Sequence, residues 1–270
     1  VTAVLPRRAV VALALALVVA PVSVQGDDGA TTRHLLAGVH AFKDGRYEEA
    51  LVELRVVARA ADAPADLAFY LGPTLYKLGR YDEALAVFVA SKVPADPLTD
   101  FYLGETYYQL RLFRKARAVF AGLRTRGLGP VLDAAAERYV AAVDAAYEAR
   151  PAPDAIDYYA DAGAELVATD PIVAGEYLDE ARQVEALGEP HRHAEIAGAL
   201  GAVWNAADRP RAVIAALAAD PARGDEATWQ LARADLAVGD AVAALPLVMA
   251  IAAGGGPHAA AATGVLSRSR

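Results

Sequence analysis

Small and large apolar positions recur along this chain in blocks, each block long enough for two helices. The segment Phe69-Tyr70-Leu71-Gly72 reappears letter for letter at Phe101-Tyr102-Leu103-Gly104, and each copy opens the same pattern of helix, turn and helix. Gly72, Leu75, Gly79, Tyr81, Ala84 and Phe88 fall on Gly104, Tyr107, Arg111, Phe113, Ala116 and Phe120, a shift of 32 residues. Upstream, Gly38, Ala41, Gly45, Tyr47, Ala50 and Leu54 precede the middle set by 34 residues. A period of this length predicts stacked supersecondary units. A helix pair is too small to bury its own apolar stripe, so successive pairs stack and share one core. Gly72 and Gly104 fall mid-helix, where Gly costs roughly 1 kcal/mol relative to Ala. The expected compensation is close packing against the second helix at Ala84 and Ala116. Gly45 and Gly79 follow the first helix, where a left-handed residue ends it. Arg111 stands in that place in the third copy and predicts a strained or differently shaped turn.

Beyond residue 125 the pattern degrades. Val131 to Glu148 reads as one long helix, apolar at Val131, Leu132, Ala135, Tyr139, Ala142, Val143 and Ala146, suited to cap the first array. Pro151 and Pro153 break the chain and mark a hinge or module boundary. A weak copy follows at Tyr158, Ala162, Ala174, Leu178 and Ala181, and a better one at Leu200, Gly201, Trp204, Pro210, Val213 and Leu217. The last holds Leu231, Ala232, Gly239, Ala241, Ala244 and Val248, before Gly254-Gly255-Gly256-Pro257 stops the helix. The expected organisation is an array over 27–125, a capping helix over 126–150, degenerate repeats over 151–253 and a flexible tail over 254–270.

Small residues at the eighth and twentieth positions of the repeat, an aromatic at the seventeenth and Gly at the fifteenth resemble the tetratricopeptide repeat. The resemblance covers residues 31 to 125 and implies an all-α, TPR-like α-solenoid of antiparallel helix pairs, three clear repeats followed by degenerate ones. It also implies a mode of binding, in which the first helix of each repeat lines a concave surface. Carried over by position, Leu35, Phe69 and Phe101 form one row of that groove and Phe42, Tyr76 and Tyr108 a second, edged by Lys43, Lys77 and Gln109. Tyr offers contact area and a hydroxyl at low entropic cost, which suits a protein or peptide partner. Two readings stay open: an exposed groove that binds a peptide, or a concavity filled by the chain's own later helices with the rings as core. The chaperone-binding version of the fold carries Lys, Arg and Asn where this chain has Leu35, Val39, Tyr70, Leu98 and Tyr102. Recognition of an acidic chain terminus is therefore not expected, and an apolar segment suits the groove better. Pro73 removes one hydrogen bond inside a first helix and predicts a local bend.

The first 26 residues add a location. Arg7 and Arg8 precede an uncharged run from Ala9 to Val24, then Gln25, Gly26, Asp27 and Asp28. These are the parts of a secretory signal peptide, with cleavage expected after Gly26. The run is shorter than the ~20 residues of a membrane span, although an uncleaved anchor stays open, and any membrane contact would run through it. The paired arginines also fit a twin-arginine signal, but the general secretory route is favoured because no cofactor motif calls for folded export. The expected location is exported: periplasmic or secreted.

The net charge is −8 and becomes −10 without residues 1–26, a balance that makes nucleic acid a poor partner. Residues 27–125 carry as many basic as acidic groups, so the negative excess belongs to the second half. Arg111, Arg114, Lys115, Arg117, Arg124 and Arg126 form a run with no acid between Glu105 and Asp133. It reads as a solvated helix face, or more sharply as a contact with the chain's own acidic half or an acidic partner.

A search for chemistry returns little. No Cys is present, so no disulfide framework or lipid-modified Cys is possible. His34, His40, His191, His193 and His258 show no metal-ligand spacing, and His191 and His193 read as surface residues. Glu48-Glu49 and Asp82-Glu83 fit the first turn of each second helix, where acids favour the helix dipole. No nucleophile elbow or phosphate loop occurs. The sequence reads as a non-enzyme, with no cofactor and no metal: an interaction scaffold of the bacterial cell envelope, or alternatively a structural, self-associating or regulatory module.

Overall fold

The computed structural model describes residues 29–61, 63–91, 96–127, 129–147, 153–188 and 191–268. The expected signal segment and the break at Pro151 lie outside them. Among the described residues all regular structure is helical. Three pairs come first: α1 (Gly29–Lys43) with α2 (Tyr47–Ala58), α3 (Ala68–Lys77) with α4 (Tyr81–Ala90), and α5 (Pro97–Gln109) with α6 (Phe113–Arg126). A long helix, α7 (Pro130–Tyr147), packs on α6. Then follow α8 (Pro153–Leu166) with α9 (Pro171–Glu185), α10 (His193–Ala206) with α11 (Pro210–Leu217), and α12 (Gly224–Ala237) with α13 (Ala241–Gly254). The arrangement is an all-α solenoid of antiparallel helix pairs.

One crossing recurs in four of these pairs. Gly38, Gly72, Gly104 and Gly201 are each followed 16 residues later by a large side chain: Leu54, Phe88, Phe120 and Leu217. A Cβ at Gly38 or Gly104 would stand 2.8 Å from Leu54 or Phe120, and one at Gly201 3.1 Å from Leu217. At Gly72 it would overlap the Phe88 ring. The compensation for these glycines is thus a ring or Leu from the second helix, rather than Ala84 and Ala116 as expected. Those alanines still matter, because Ala50, Ala84, Ala116, Ala174, Val213 and Ala244 are all fully buried at the equivalent place.

The turns repeat as closely as the crossings. Gly45, Gly79, Arg111, Asp208 and Gly239 all adopt positive φ, between 55° and 83°. In each turn the residue's own N–H and the next N–H donate back to the last turn of the first helix, as Gly79 does to Tyr76 and Arg80 to Leu75. These bonds satisfy carbonyls that a helix end otherwise leaves open. Arg111 keeps the same turn, with φ 65° and bonds to Tyr108 and Tyr107, so the expected difference is strain rather than shape.

The second half does not stand apart. One apolar cluster runs from Leu85 and Phe101 through Phe120, Ala136 and Tyr159 to Tyr177 and Ile196, across the expected module boundary. Helix α9 lies against α4 and α6, the second helices of their pairs. Helix α6 begins at Leu112, whose side chain offers no cap. Glu180 supplies one from 66 residues away, accepting from the Arg114 N–H at 2.7 Å and the Lys115 N–H at 3.0 Å. The Lys115 ammonium bonds Glu176 at 2.9 Å and Asp179 at 2.5 Å, and the Tyr107 hydroxyl donates to Glu176 at 2.8 Å. Arg209 donates to the Val89 carbonyl at the end of α4. Much of the basic run therefore faces the chain's own acidic half, since Arg117 also pairs with Asp144 and Arg124 with Glu137. His193, read as a surface residue, instead bridges Glu185 at 2.9 Å and Asp220 at 2.8 Å. The tail expected to be flexible beyond Gly254 carries a further helix, α14 (Ala259–Arg268), whose Ala262 is fully buried. Gly255, at φ 66°, turns the chain so that α14 packs on α13.

Two predictions follow from these turns and this junction. Arg111→Gly should stabilise the protein by about 1 kcal/mol, because an L side chain in the left-handed region costs roughly that much, and Gly79→Ala should lose a similar amount; urea unfolding midpoints measure both. The second concerns pH. Burial pushes the Glu180 carboxyl up to about 7, against its two N–H donors and Lys115. Asp220 and then Glu185 raise His193 above its ordinary value, against burial. Both groups hold protons more tightly when folded, so their stabilisation is present at low pH and lost as pH rises through the folded values. The melting temperature should fall between pH 5 and 8, and Glu180→Gln should flatten that slope; an unchanged slope would remove Glu180 as a cause.

Candidate functional site

The face built by α1, α3 and α5 carries every residue the repeat alignment places in the groove. The structure draws them inward to different depths. Leu35, Phe42 and Phe101 are core, at 4%, 7% and 6% exposure. Phe42 meets Tyr47 edge-on at 5.7 Å between ring centres, and Phe101 meets Phe120 at 5.4 Å. Phe69, Tyr76 and Tyr108 are half-buried, while Lys43, Lys77 and Gln109 are exposed at the rim. Of the two readings left open, these three residues fit the one in which the side chains are core. The reason is geometric: both buried rings turn onto the second helix of their own pair, Phe42 onto α2 and Phe101 onto α6.

Neither of the two open readings holds for the whole face. Because α9 docks on α4 and α6, the second array sits on the second-helix side. Among the described residues, Tyr139 of α7 reaches the rings of that face. Tyr139 stacks on Phe120 at 4.3 Å with an interplanar angle of 3°, and meets Tyr108 at 5.0 Å and Phe101 at 6.2 Å. Its hydroxyl donates to Glu105 Oε1 at 2.9 Å.

Glu105 is the residue that the alignment passed over. It occupies the ninth position of the third repeat, where the first two carry Val39 and Pro73. Burial raises its carboxyl above the usual range, opposed by the Tyr139 hydroxyl, the Lys77 charge and the Tyr76 hydroxyl. The same closeness acts on the phenols. Burial and then the Glu105 charge push Tyr102 up to about 12, and raise Tyr76 and Tyr139 as well. The Lys77 ammonium lies 5.4 Å from the Tyr102 ring centre and 5.8 Å from that of Tyr76. Tyr76 and Tyr102 are themselves 5.5 Å apart. Lys77, Tyr76 and Tyr108 are thus brought together with three residues outside the expected groove rows, Tyr102, Glu105 and Tyr139; Leu35, Phe42 and Lys43 belong to the other end of the face. The signal for Glu105 was an acid at a first-helix position that is apolar in the other copies. Tyr139 had no such signal, because a tyrosine on the apolar stripe of a long helix reads as core.

Pro73 leaves one carbonyl of α3 without its usual donor. The neighbouring Thr74 hydroxyl donates to the Tyr70 carbonyl at 2.6 Å, and Thr106 does the same to Tyr102 at 2.7 Å. Such back-bonding bends helices slightly, and both threonines are fully buried.

No family model matches the chain, and no curated protein does. Among solved structures, the TPR2AB-domain:pHSP90 complex of yeast Sti1 is similar over 82% of this chain and 88% of that chain, with 16% identity and a TM-score of 0.37. The TPR domain of P58(IPK) is similar over 89% of this chain and 66% of that one, with 14% identity and a TM-score of 0.36. The helix-pair array itself rests on this chain's own spacing and packing.

The division of the face into core and rim is measurable. Phe101→Ala should cost about 3–5 kcal/mol, the usual loss for a buried ring, whereas Lys43→Ala should stay within about 0.5 kcal/mol of the parent. Urea unfolding separates the two; a loss below about 1 kcal/mol at Phe101 would return that ring to the open surface.

Proposed function

We propose that this protein is a non-enzymatic interaction scaffold, exported to the bacterial cell envelope, that holds a peptide or protein segment with apolar side chains against the first-helix face of its first three pairs. The observation that carries this reading is the position of the second array. It docks on α4 and α6, and so leaves Phe69, Tyr76 and Tyr108 half-exposed on one face beside Tyr139. Half-buried tyrosines on rigid helices give area with little entropy to lose on binding, which favours capture of a chain segment. Export is supported by Arg7-Arg8 and the uncharged run from Ala9 to Val24. Burial of Leu35, Phe42 and Phe101 favours a second reading, in which the face is structural and the chain serves as a self-associating or regulatory subunit.

The two readings separate in one experiment. A photo-crosslinker placed at Tyr76 in intact cells should capture a defined partner. Combined Phe69→Ala and Tyr108→Ala substitutions should abolish that capture with helical content unchanged, and a crosslinker at the exposed Val242 of α13 should not reproduce it. If the paired substitutions leave capture intact but lower the melting temperature, the structural reading replaces the scaffold.

A further inference from the structure

We propose that the partner segment presents a basic side chain, Lys or Arg, which binds between the Tyr76 and Tyr102 rings and the Glu105 carboxylate and displaces Lys77 from that place. This rests on the scaffold reading and specifies its ligand. The site has the two parts that a cation needs. Ring faces attract a cation through their quadrupole, and Tyr76 and Tyr102 pack together, tilted at 59° with 5.5 Å between ring centres, beneath the Lys77 ammonium. An anion lies beside them: Glu105 is fixed at mid-helix on α5, and Tyr139 of α7 donates to it at 2.9 Å. The Tyr139 and Tyr76 hydroxyls both bond this carboxylate, and its two oxygens, with about four lone-pair sites, have room for further donors.

The chain's own lysine reports what the site accepts. Lys77 Nζ lies 5.4 Å and 5.8 Å from the two ring centres. Yet Lys77 is an exposed side chain at the last residue of α3, reaching back over the rings on a flexible stem. Glu105, Tyr102 and Tyr139 are held by packing, so the receptor is fixed while its internal cation is mobile. Swinging Lys77 into water exchanges one weak exposed contact for full hydration, a small change. A guest guanidinium offers more, since its planar fork can bond the carboxylate and stack on a ring at once. Acid on this face also opposes a carboxylate-bearing ligand, in agreement with the apolar and aromatic residues at Leu35, Val39, Tyr70, Leu98 and Tyr102.

The test uses the full chain and two fluorescein-labelled peptides, Leu-Arg-Leu-Arg-Leu and its counterpart with citrulline, the neutral isostere, in place of Arg. Fluorescence anisotropy at physiological salt should give at least tenfold tighter binding for the Arg peptide. Glu105→Gln should erase that preference, whereas Glu48→Gln, which removes an equal charge on an exposed turn of α2, should leave it. Lys77→Met keeps the stem and removes the competing cation, so it should tighten Arg-peptide binding several-fold. Equal affinity for the two peptides, equal losses from Glu105→Gln and Glu48→Gln, or absence of binding would each overturn the proposal. If Glu105→Gln does not fold, Lys77→Met decides alone: unchanged or weaker binding sinks the idea. Failure here alongside specific capture from Tyr76 in cells would leave the scaffold standing without its basic ligand; Arg-selective binding without cellular capture would do the reverse.

Discussion

The close approach of two helices at a position that tolerates no Cβ is the constraint on which the rest of this molecule depends. Where Gly104 stands, the Phe120 ring occupies the space a side chain would fill. Interiors are packed densely enough that such a ring has few alternative places, so the crossing fixes how the two helices sit. Repeated at Gly38, Gly72 and Gly201, it makes these four pairs nearly the same object. Identical objects with an unfinished stripe must stack. Crossing and stacking together decide the fate of the first-helix rings, since Phe101 is pressed onto Phe120 of its own pair and Tyr76 onto Tyr102 of the next.

Charge, together with the shared apolar cluster, orients the second array on the first. Lys115 meets Glu176 and Asp179 in a setting where both acids are largely withdrawn from water. Burial pulls the Lys115 ammonium down, and Glu176 and Asp179 outweigh it, leaving the group raised above its ordinary value. Desolvation makes buried ion pairs weak contributors to stability but demanding of geometry. Glu180 adds a directional bond, capping a helix whose own first residues offer none. Together these contacts seat α9 at the start of α6 and so keep the second array off the first-helix face. Folding stability and the openness of that face are therefore set by the same few carboxylates.

The sequence made the scaffold legible because repetition is visible without coordinates. Glycine at the eighth position, alanine at the twentieth and a large residue at the twenty-fourth encode the crossing, and their spacing survives in Gly201, Val213 and Leu217 far downstream. Burial of the rings was not legible. Periodicity identifies the side of the helix on which Phe101 and Phe69 lie, but their different depths depend on whether a neighbour covers them, and Tyr139 covers only one end. The α14 helix was missed for a related reason: a run of Gly and Pro ends one helix and says nothing about the next. The docking of α9 joins residues 65 or more apart in sequence, through single carboxylates that no local pattern marks.

Repeat proteins divide their residues by whether they recur. What recurs is bound to the packing of each pair against its neighbours, and changing it disturbs every crossing of the same kind. What differs at an equivalent position is free of that duty and can serve a purpose of its own. At the ninth position Val39 and Pro73 are apolar, and Glu105 is an acid. Burying a carboxylate is unfavourable unless hydrogen bonds or charge offset it, and nothing in the repeat geometry calls for one there. The chain answers with the Tyr139 hydroxyl from outside the repeats and with Lys77 from the adjoining pair. An acid that the scaffold does not need, provided with partners from two other helices and set at the edge of the uncovered face, is the feature by which this solenoid departs from its own regularity. The recognition proposed for that face is therefore centred on Glu105 rather than on the recurring rings.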